Sequence, residues 1–151
     1  MALRNIVLDG DPILRKKCKP VEEVNNKVRQ ILDDMAETMY DSENGAGLAA
    51  SQVGILKRLV VIDMGSGLLK LVNPEIISEE GTQKVIEGCL SFPGQYGKLI
   101  RPQKVKVKAL NEDGEPIILE GEGDLAKCFC HEIDHLNGVV FVDKVTEWIH
   151  A

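Results

Sequence analysis

One short stretch, Cys130-His131-Glu132-Ile133-Asp134-His135-Leu136-Asn137-Gly138, restricts the fold more than any other part of the chain. His131 and His135 stand four residues apart, a spacing that on a helix puts both imidazoles on one face, one turn apart, where they can grip one ion. Glu132 lies about 100° around the axis from His131, so it faces a water held on such an ion rather than the ion itself. The segment Gly123–Gly138 therefore reads as a helix, with Asp124 as the expected cap and Gly138 after its end. Two imidazoles make half of a tetrahedral site. Whatever fold the chain adopts must bring a further ligand to this helix from elsewhere.

The rest of the chain shows what the helix can pack against. Val24, Val28, Ile31, Leu32, Met35 and Met39 recur at helical spacing over Val24–Tyr40, with Asn44-Gly45 as a stop beyond. Ahead of it, D-G-D-P-I-L at 9 to 14 is turn chemistry followed by a short helical start. Between 57 and 120, the runs R-L-V-V-I-D, K-L-V-N-P, K-V-K-V-K-A-L and P-I-I-L-E are strand-like and separated by turn residues. Asn111-Glu112-Asp113-Gly114 reads as a hairpin turn between the last two. The expected architecture is α+β: a strand-rich antiparallel middle packed around the C-terminal H-E-x-x-H helix, with an N-terminal amphipathic helix, all in a single catalytic domain over 1–151.

Composition removes several function classes. Apolar residues make 44% and charged residues 28% of the 151, and the net charge is −6 with both signs interspersed. No basic block offers a nucleic-acid footprint; the alternating lysines of 104 to 108 read as the solvated face of a strand. No apolar run is long enough to span a bilayer, and the N-terminal segment meets charge too early for a signal-peptide core. A cytoplasmic protein with no membrane partner is expected, and a monomer. In that setting Cys18, Cys89, Cys128 and Cys130 read as thiols or ligands rather than disulfides.

The third ligand has few sources. A metzincin completion needs His six residues after His135, where the chain has Phe141. A thermolysin-like completion takes Glu from a separate downstream helix, and Glu147 lies too near. Cys128 shares the face of His131 but sits roughly 7 Å along the axis from the midpoint of the two histidines, too far for so short a side chain. Cys130 points to another face, and both are assigned to packing or pocket lining. Cys18 lies among cations, in R-K-K-C-K-P, which could lower its pKa but would repel a metal. Cys89, in Ile86-Glu87-Gly88-Cys89-Leu90-Ser91, is the better candidate, and a thiolate with two imidazoles leaves one position open for chemistry.

A third stretch, G-A-G-L-A-A-S-Q at 45 to 52, reads by itself as a Gly-rich turn into a short apolar segment. In order and spacing, G-A-G-L-A-A-S-Q, E-G-C-L-S and H-E-I-D-H-L-N-G resemble peptide deformylase over nearly the whole chain. The resemblance implies hydrolysis of the formyl group from N-formylmethionyl peptides, with nascent polypeptides at the ribosome as partners. It implies one divalent metal ion, Fe2+, replaceable by Zn2+, Ni2+ or Co2+, held by Cys89, His131 and His135. It further implies Glu132 as general base and acid, with Gln52 and the Leu90 backbone N–H as donors to the oxyanion. Glu87, Cys128 and His131 would shape the methionine pocket, and backbone near Ala46 and Gly88 would pair with the peptide. Arg101 would pair with Glu87.

Two positions depart from the family pattern. Cys130 stands where Gln often precedes the first His, and Tyr96 where many bacterial members have Arg. They leave a catalytically weak metal-binding relative as a rival. A small endopeptidase is the other, although it should lack the E-G-C-L-S thiolate.

Overall fold

A computed structural model describes residues 2–42 and 45–149, so the stop expected at Asn44 lies outside the described residues. Two helices, α1 (Asn26–Asp41) and α2 (Asp124–Leu136), accompany eight strands. The strands are β1 (Gly47–Ala49), β2 (Leu59–Ile62), β3 (Leu69–Glu80), β4 (Gln83–Cys89), β5 (Phe92–Arg101), β6 (Lys104–Leu110), β7 (Pro116–Glu122) and β8 (Glu147–Ile149). Five of them form an antiparallel sheet in the order β1-β2-β3-β6-β7, and three form a second in the order β4-β5-β8. The architecture is α+β, as expected.

β2 explains why two helices are needed. Its four residues are all buried, and they alternate between two cores. Val60 and Ile62 join Ala126, Phe129, Ile133 and Leu136 of α2, while Leu59 and Val61 join Val28, Leu32, Met35 and Met39 of α1. A strand covered on both faces has no polar alternation, which is why Leu59–Ile62 is uniformly apolar. Each helix thus buries its apolar stripe on its own face of the five-stranded sheet. A fully buried Leu or Met contributes about 1.5–3 kcal/mol by leaving water.

The helix limits shift slightly from the sequence reading. α1 begins at Asn26, because the side chain of Asn25 accepts from the Val28 N–H at 3.0 Å; Val24 lies ahead of the cap. In α2 the cap position falls on Gly123, and Asp124 is the first helical residue. Its carboxylate favours the positive end of the helix dipole without capping it. Asp11 caps the short 3-10 turn Pro12–Arg15, the helical start read after the D-G-D-P turn.

The strand reading was incomplete. β3 runs beyond Pro74 to Glu80, since a register break between Val72 and Glu75 leaves the proline outside the regular ladder. Asn73, at that break, has φ 53° and binds the backbone of Val21 through both amide atoms. β1, β4, β5 and β8 are additional to the four strand-like runs. β4 and β5 form a hairpin inserted between the paired neighbours β3 and β6, with Leu90-Ser91 as a two-residue turn between paired Cys89 and Phe92. β8 extends the same small sheet, pairing Gly97 with Trp148, so this tryptophan sits in an edge strand, 6.2 Å from the Phe141 ring.

Candidate metal centre

The face of α2 opposite its core stripe turns toward the β4–β5 hairpin. Three donor atoms meet there, from Cys89 at the end of β4 and from His131 and His135 on α2, all within 4.8 Å of one another. Cys89 Sγ lies 3.3 Å from His135 Nε2. Ligand atoms sharing a tetrahedral ion with bonds near 2.0–2.3 Å stand roughly 3.5 Å apart, so the donor set fits a single divalent metal ion. The hairpin turn is what achieves this: Cys89 occupies the last paired position before Leu90, at the tip nearest the helix.

The two imidazoles meet different surroundings. His131 shares a hydrogen bond between Nδ1 and Glu87 Oε1 at 2.6 Å, which leaves Nε2 for a metal. Burial opposes a charge on this ring, but Glu132, Cys89 and Glu87 outweigh it and raise its pKa well above the ordinary value. His135 is fully enclosed, and burial together with neighbouring His131 holds its pKa well below the ordinary value, in the neutral form that ligates.

Behind His131 lies a buried charge network. Arg101 donates to Glu87 through Nε at 2.6 Å and Nη2 at 2.9 Å, and through Nη1 to Asp134 at 2.7 Å. Glu87 and Arg101 are only 3% and 2% exposed, so this two-point pairing works with little competition from water. Burial alone would raise the Glu87 pKa; the hydrogen bonds from Arg101 and His131 prevail and hold it at about 2. The pairing expected between Arg101 and Glu87 is therefore present, and it ties a residue of β5 to a metal-site histidine through β4.

Glu132 is buried, and that burial raises its carboxyl pKa to about 7, suited to taking and returning a proton near neutrality. Its Oε1 is buried with no hydrogen-bond partner in the protein, an acceptor left for something held in the site. The carboxylate comes so close to β1 that a Cβ on Gly47 would stand 2.7 Å from Oε2 and 3.0 Å from Cys128 Sγ. A side chain there would force the Glu132 carboxylate or the Cys128 thiol to move. The sequence showed the Gly-rich stretch, but not that it lies against Glu132.

Gln52 follows β1 on a 3-10 turn and is 1% exposed. Its Oε1 accepts the Ala49 N–H at 3.0 Å, which turns Nε2 toward Ser91 Oγ at 3.1 Å and Cys89 Sγ at 3.4 Å. The amide donors thus face the metal centre. Ser91, unassigned in the sequence reading, fixes that orientation; its place in E-G-C-L-S was the available signal.

A cavity of about 440 Å³ opens beside these groups, lined among others by Ala46, Glu87, Gly88, Leu90, Cys128 and Glu132. Every site residue expected from the sequence thus borders the cavity or the metal centre. Met64, Ile86, Pro93, Tyr96 and Lys127 line it as well, and of these only Tyr96 stands out in the sequence. The remaining thiols lie apart from the donor set. Cys130 is buried, and desolvation pushes its pKa up to about 11. Cys18 corrects the sequence reading: it is buried, and desolvation raises its pKa despite nearby Arg58, because the charges beside it in sequence do not offset the loss of water.

Residues 3–149 match the family model for polypeptide deformylase. The chain belongs to the polypeptide deformylase family. It is 65% identical over 149 residues to peptide deformylase 2 of Clostridium acetobutylicum, covering 99% of each chain. It is 60% identical to a peptide deformylase of Caldanaerobacter subterraneus, covering 99% of this chain and 93% of that one. The fold superposes on the crystal structure of peptide deformylase from Thermotoga maritima with a TM-score of 0.93 at 42% identity, covering 97% of this chain and 99% of that one. The Legionella pneumophila deformylase gives 0.92 at 47% identity, over 96% and 87%. With its Cys-His-His donor set, this deformylase is a metal-dependent hydrolase that removes the formyl group from N-formylmethionyl peptides.

Proposed function

We propose that Cys89, His131 and His135 hold ferrous iron, with zinc, nickel or cobalt able to replace it, and that Glu132, Gln52 and Leu90 carry out the hydrolysis. The observation that supports this most strongly is the convergence of Cys89 with His131 and His135 at one end of a cavity that Glu132 and Gln52 also border. When bound, an ion at such a site acidifies a water and polarises the carbonyl under attack. Glu132 takes the proton from the attacking water and returns it to the departing amine. Its partnerless Oε1 and its pKa of about 7 suit both steps. As negative charge develops on the formyl oxygen, Gln52 Nε2 and the Leu90 N–H donate to it. Because Ala49 already holds the amide by its oxygen, the donor needs no reorganisation.

The methionine side chain enters the cavity between Glu87, Cys128 and His131. Glu87 has both carboxylate oxygens engaged by Arg101 and His131, so it serves as a wall without presenting a free charge. Ala46 and Gly88 flank the cavity on β1's approach and on β4, where an extended peptide pairs through its backbone. Such pairing ignores most side chains and suits an enzyme acting on many new proteins. We further propose that the whole of 1–151 is one catalytic domain, acting as a cytoplasmic monomer on chains emerging from the ribosome. Among the described residues no helix is long and apolar enough to cross a membrane.

Formate release from formyl-Met-Ala-Ser tests this reading, with protein prepared without air and loaded with ferrous iron or nickel. Turnover that disappears in Cys89→Ala is expected. Full metal occupancy without turnover would favour the weak-relative alternative.

A further inference from the structure

The cavity is lined by more residues than those assigned to the formylmethionine. Met64, Ile86 and Tyr96 border it, and they are 37%, 53% and 49% exposed. Large apolar side chains grouped at a cavity mouth mark a contact surface more often than isolated ones do. The register of the hairpin explains how Tyr96 gets there. Between the pairs Glu87–Gly97 and Cys89–Phe92, β4 advances two residues (87 to 89) while β5 advances five (97 to 92). The excess makes β5 irregular against β4 over Pro93–Tyr96, while Tyr96 still pairs with β8, and such irregularities re-aim side chains.

The ring of Tyr96 then lies on the backbone of Gly88. A Cβ at Gly88 would stand 2.6 Å from Tyr96 Cε1 and 2.8 Å from Cδ1, so glycine is what lets the ring lie there, one residue from Cys89. Ile86 is two residues from Gly88 on β4 and projects to the same side of the strand. Across the other edge, Ile149 of β8 pairs with Tyr96. The ring and Ile86 therefore both present exposed apolar surface to the cavity along β4, the strand on which the peptide pairs. An extended chain advances about 3.3 Å per residue, so the two residues after formylmethionine pass along this surface.

We propose that Tyr96, together with Ile86, is a specificity-determining residue of this deformylase, favouring formylmethionyl peptides whose next two residues carry an aromatic or aliphatic side chain. The inference rests on the deformylase reading and on the peptide's course along β4.

The test compares kcat/KM for formate release from formyl-Met-Phe-Ser, formyl-Met-Ser-Phe and formyl-Met-Ser-Ser. The proteins are the metal-loaded wild type, Tyr96→Ser, Tyr96→Phe and Ile86→Ser. At least one phenylalanine peptide should be preferred over the all-serine one by about three- to tenfold, the scale of one aromatic contact. Tyr96→Ser should bring that ratio close to one, Ile86→Ser should reduce it, and Tyr96→Phe should retain it. A wild-type ratio near one, or an unchanged ratio in Tyr96→Ser, would overturn the proposal. If Tyr96→Ser does not fold, Ile86→Ser and the relative binding of the products Met-Phe-Ser and Met-Ser-Ser to the wild type decide, with equal binding counting against it. No formate from any peptide, with metal bound, would instead overturn the deformylase reading and this inference with it.

Discussion

The two walls of the metal centre are built on opposite principles. The α2 wall supplies His131, Glu132 and His135 within five consecutive positions, all buried and positioned by helix geometry. The hairpin wall supplies Cys89, Leu90 and Tyr96 from a turn and a bulge that owe their place to pairing with distant strands. The first is rigid because neighbouring residues in sequence share a turn. The second depends on Arg101, Glu87 and Ser91, which join hairpin to helix and to Gln52 through buried hydrogen bonds. Where local geometry places a group, one substitution removes that group alone; where tertiary contacts place it, a substitution removes its supports too.

Removing the main group on each wall should have the largest effects and separate their roles. Cys89→Ala should lose both metal and turnover, measured by metal analysis and formate release, because the hairpin contributes only this donor to the metal. Glu132→Gln should retain the metal and lose turnover by roughly 10²–10⁴-fold. If Glu132→Gln instead released the metal, the separation of proton transfer from ligation on the helix wall would fail.

Gln52 lies between the walls, and Gln52→Ala should lower kcat by roughly 100-fold or more with metal content intact. Ser91→Ala should have a smaller effect in the same direction, since Nε2 loses one of the partners that orient it. A Ser91→Ala enzyme slower than Gln52→Ala would show that the serine does more than hold the amide.

The joint between the walls is tested by Arg101→Met. It leaves the Glu87 carboxylate buried without its two-point partner, which should cost about 3–5 kcal/mol in denaturant unfolding. Metal affinity should also fall by roughly 10- to 100-fold, because Glu87 orients His131. Unfolding and metal titration together distinguish a joint from a merely stabilising ion pair.

The smallest effect is expected away from both walls. Asp34 on α1 accepts from the Ala2 N–H at 2.8 Å, from Gln30 at 2.8 Å and from Arg4 at 3.1 and 2.8 Å. Burial pulls its pKa up, but these donors prevail and lower it. A carboxyl depressed in the folded state contributes stability above its unfolded pKa, and that contribution disappears as pH falls through the folded value. Thermal unfolding of the wild type should therefore lose stability more steeply below about pH 4 than Asp34→Asn does, by about 1 kcal/mol or less. Formate release near neutrality should be the same in both proteins.

The helix wall was legible in sequence because its information is local: four-residue spacing fixes which side chains share a face. The same holds for α1 and for β2, β6 and β7, whose apolar patterns match the surfaces they bury. Cys89 was reached by eliminating the other cysteines, and Glu87, Gly88, Ala46 and Cys128 by resemblance, before any contact was visible. β4 and β5 are not legible in the sequence because Lys84, Ile86, Lys98 and Ile100 mix charged and apolar residues on the open face of a small sheet, blurring the alternation.

By itself, then, the sequence determined a metal-gripping helix, a cysteine partner and a strand-rich body to carry them. Tertiary structure decided that Gln52 is buried with its donors aimed at Cys89 and Ser91, that Glu132 rests against Gly47, and that a surplus in β5 lays Tyr96 across Gly88. These contacts join segments some 40 to 85 residues apart in the first two cases, and a register mismatch sets the third. Helical periodicity is written into consecutive residues. Strand register and close approach emerge only when distant segments compete for the same buried space.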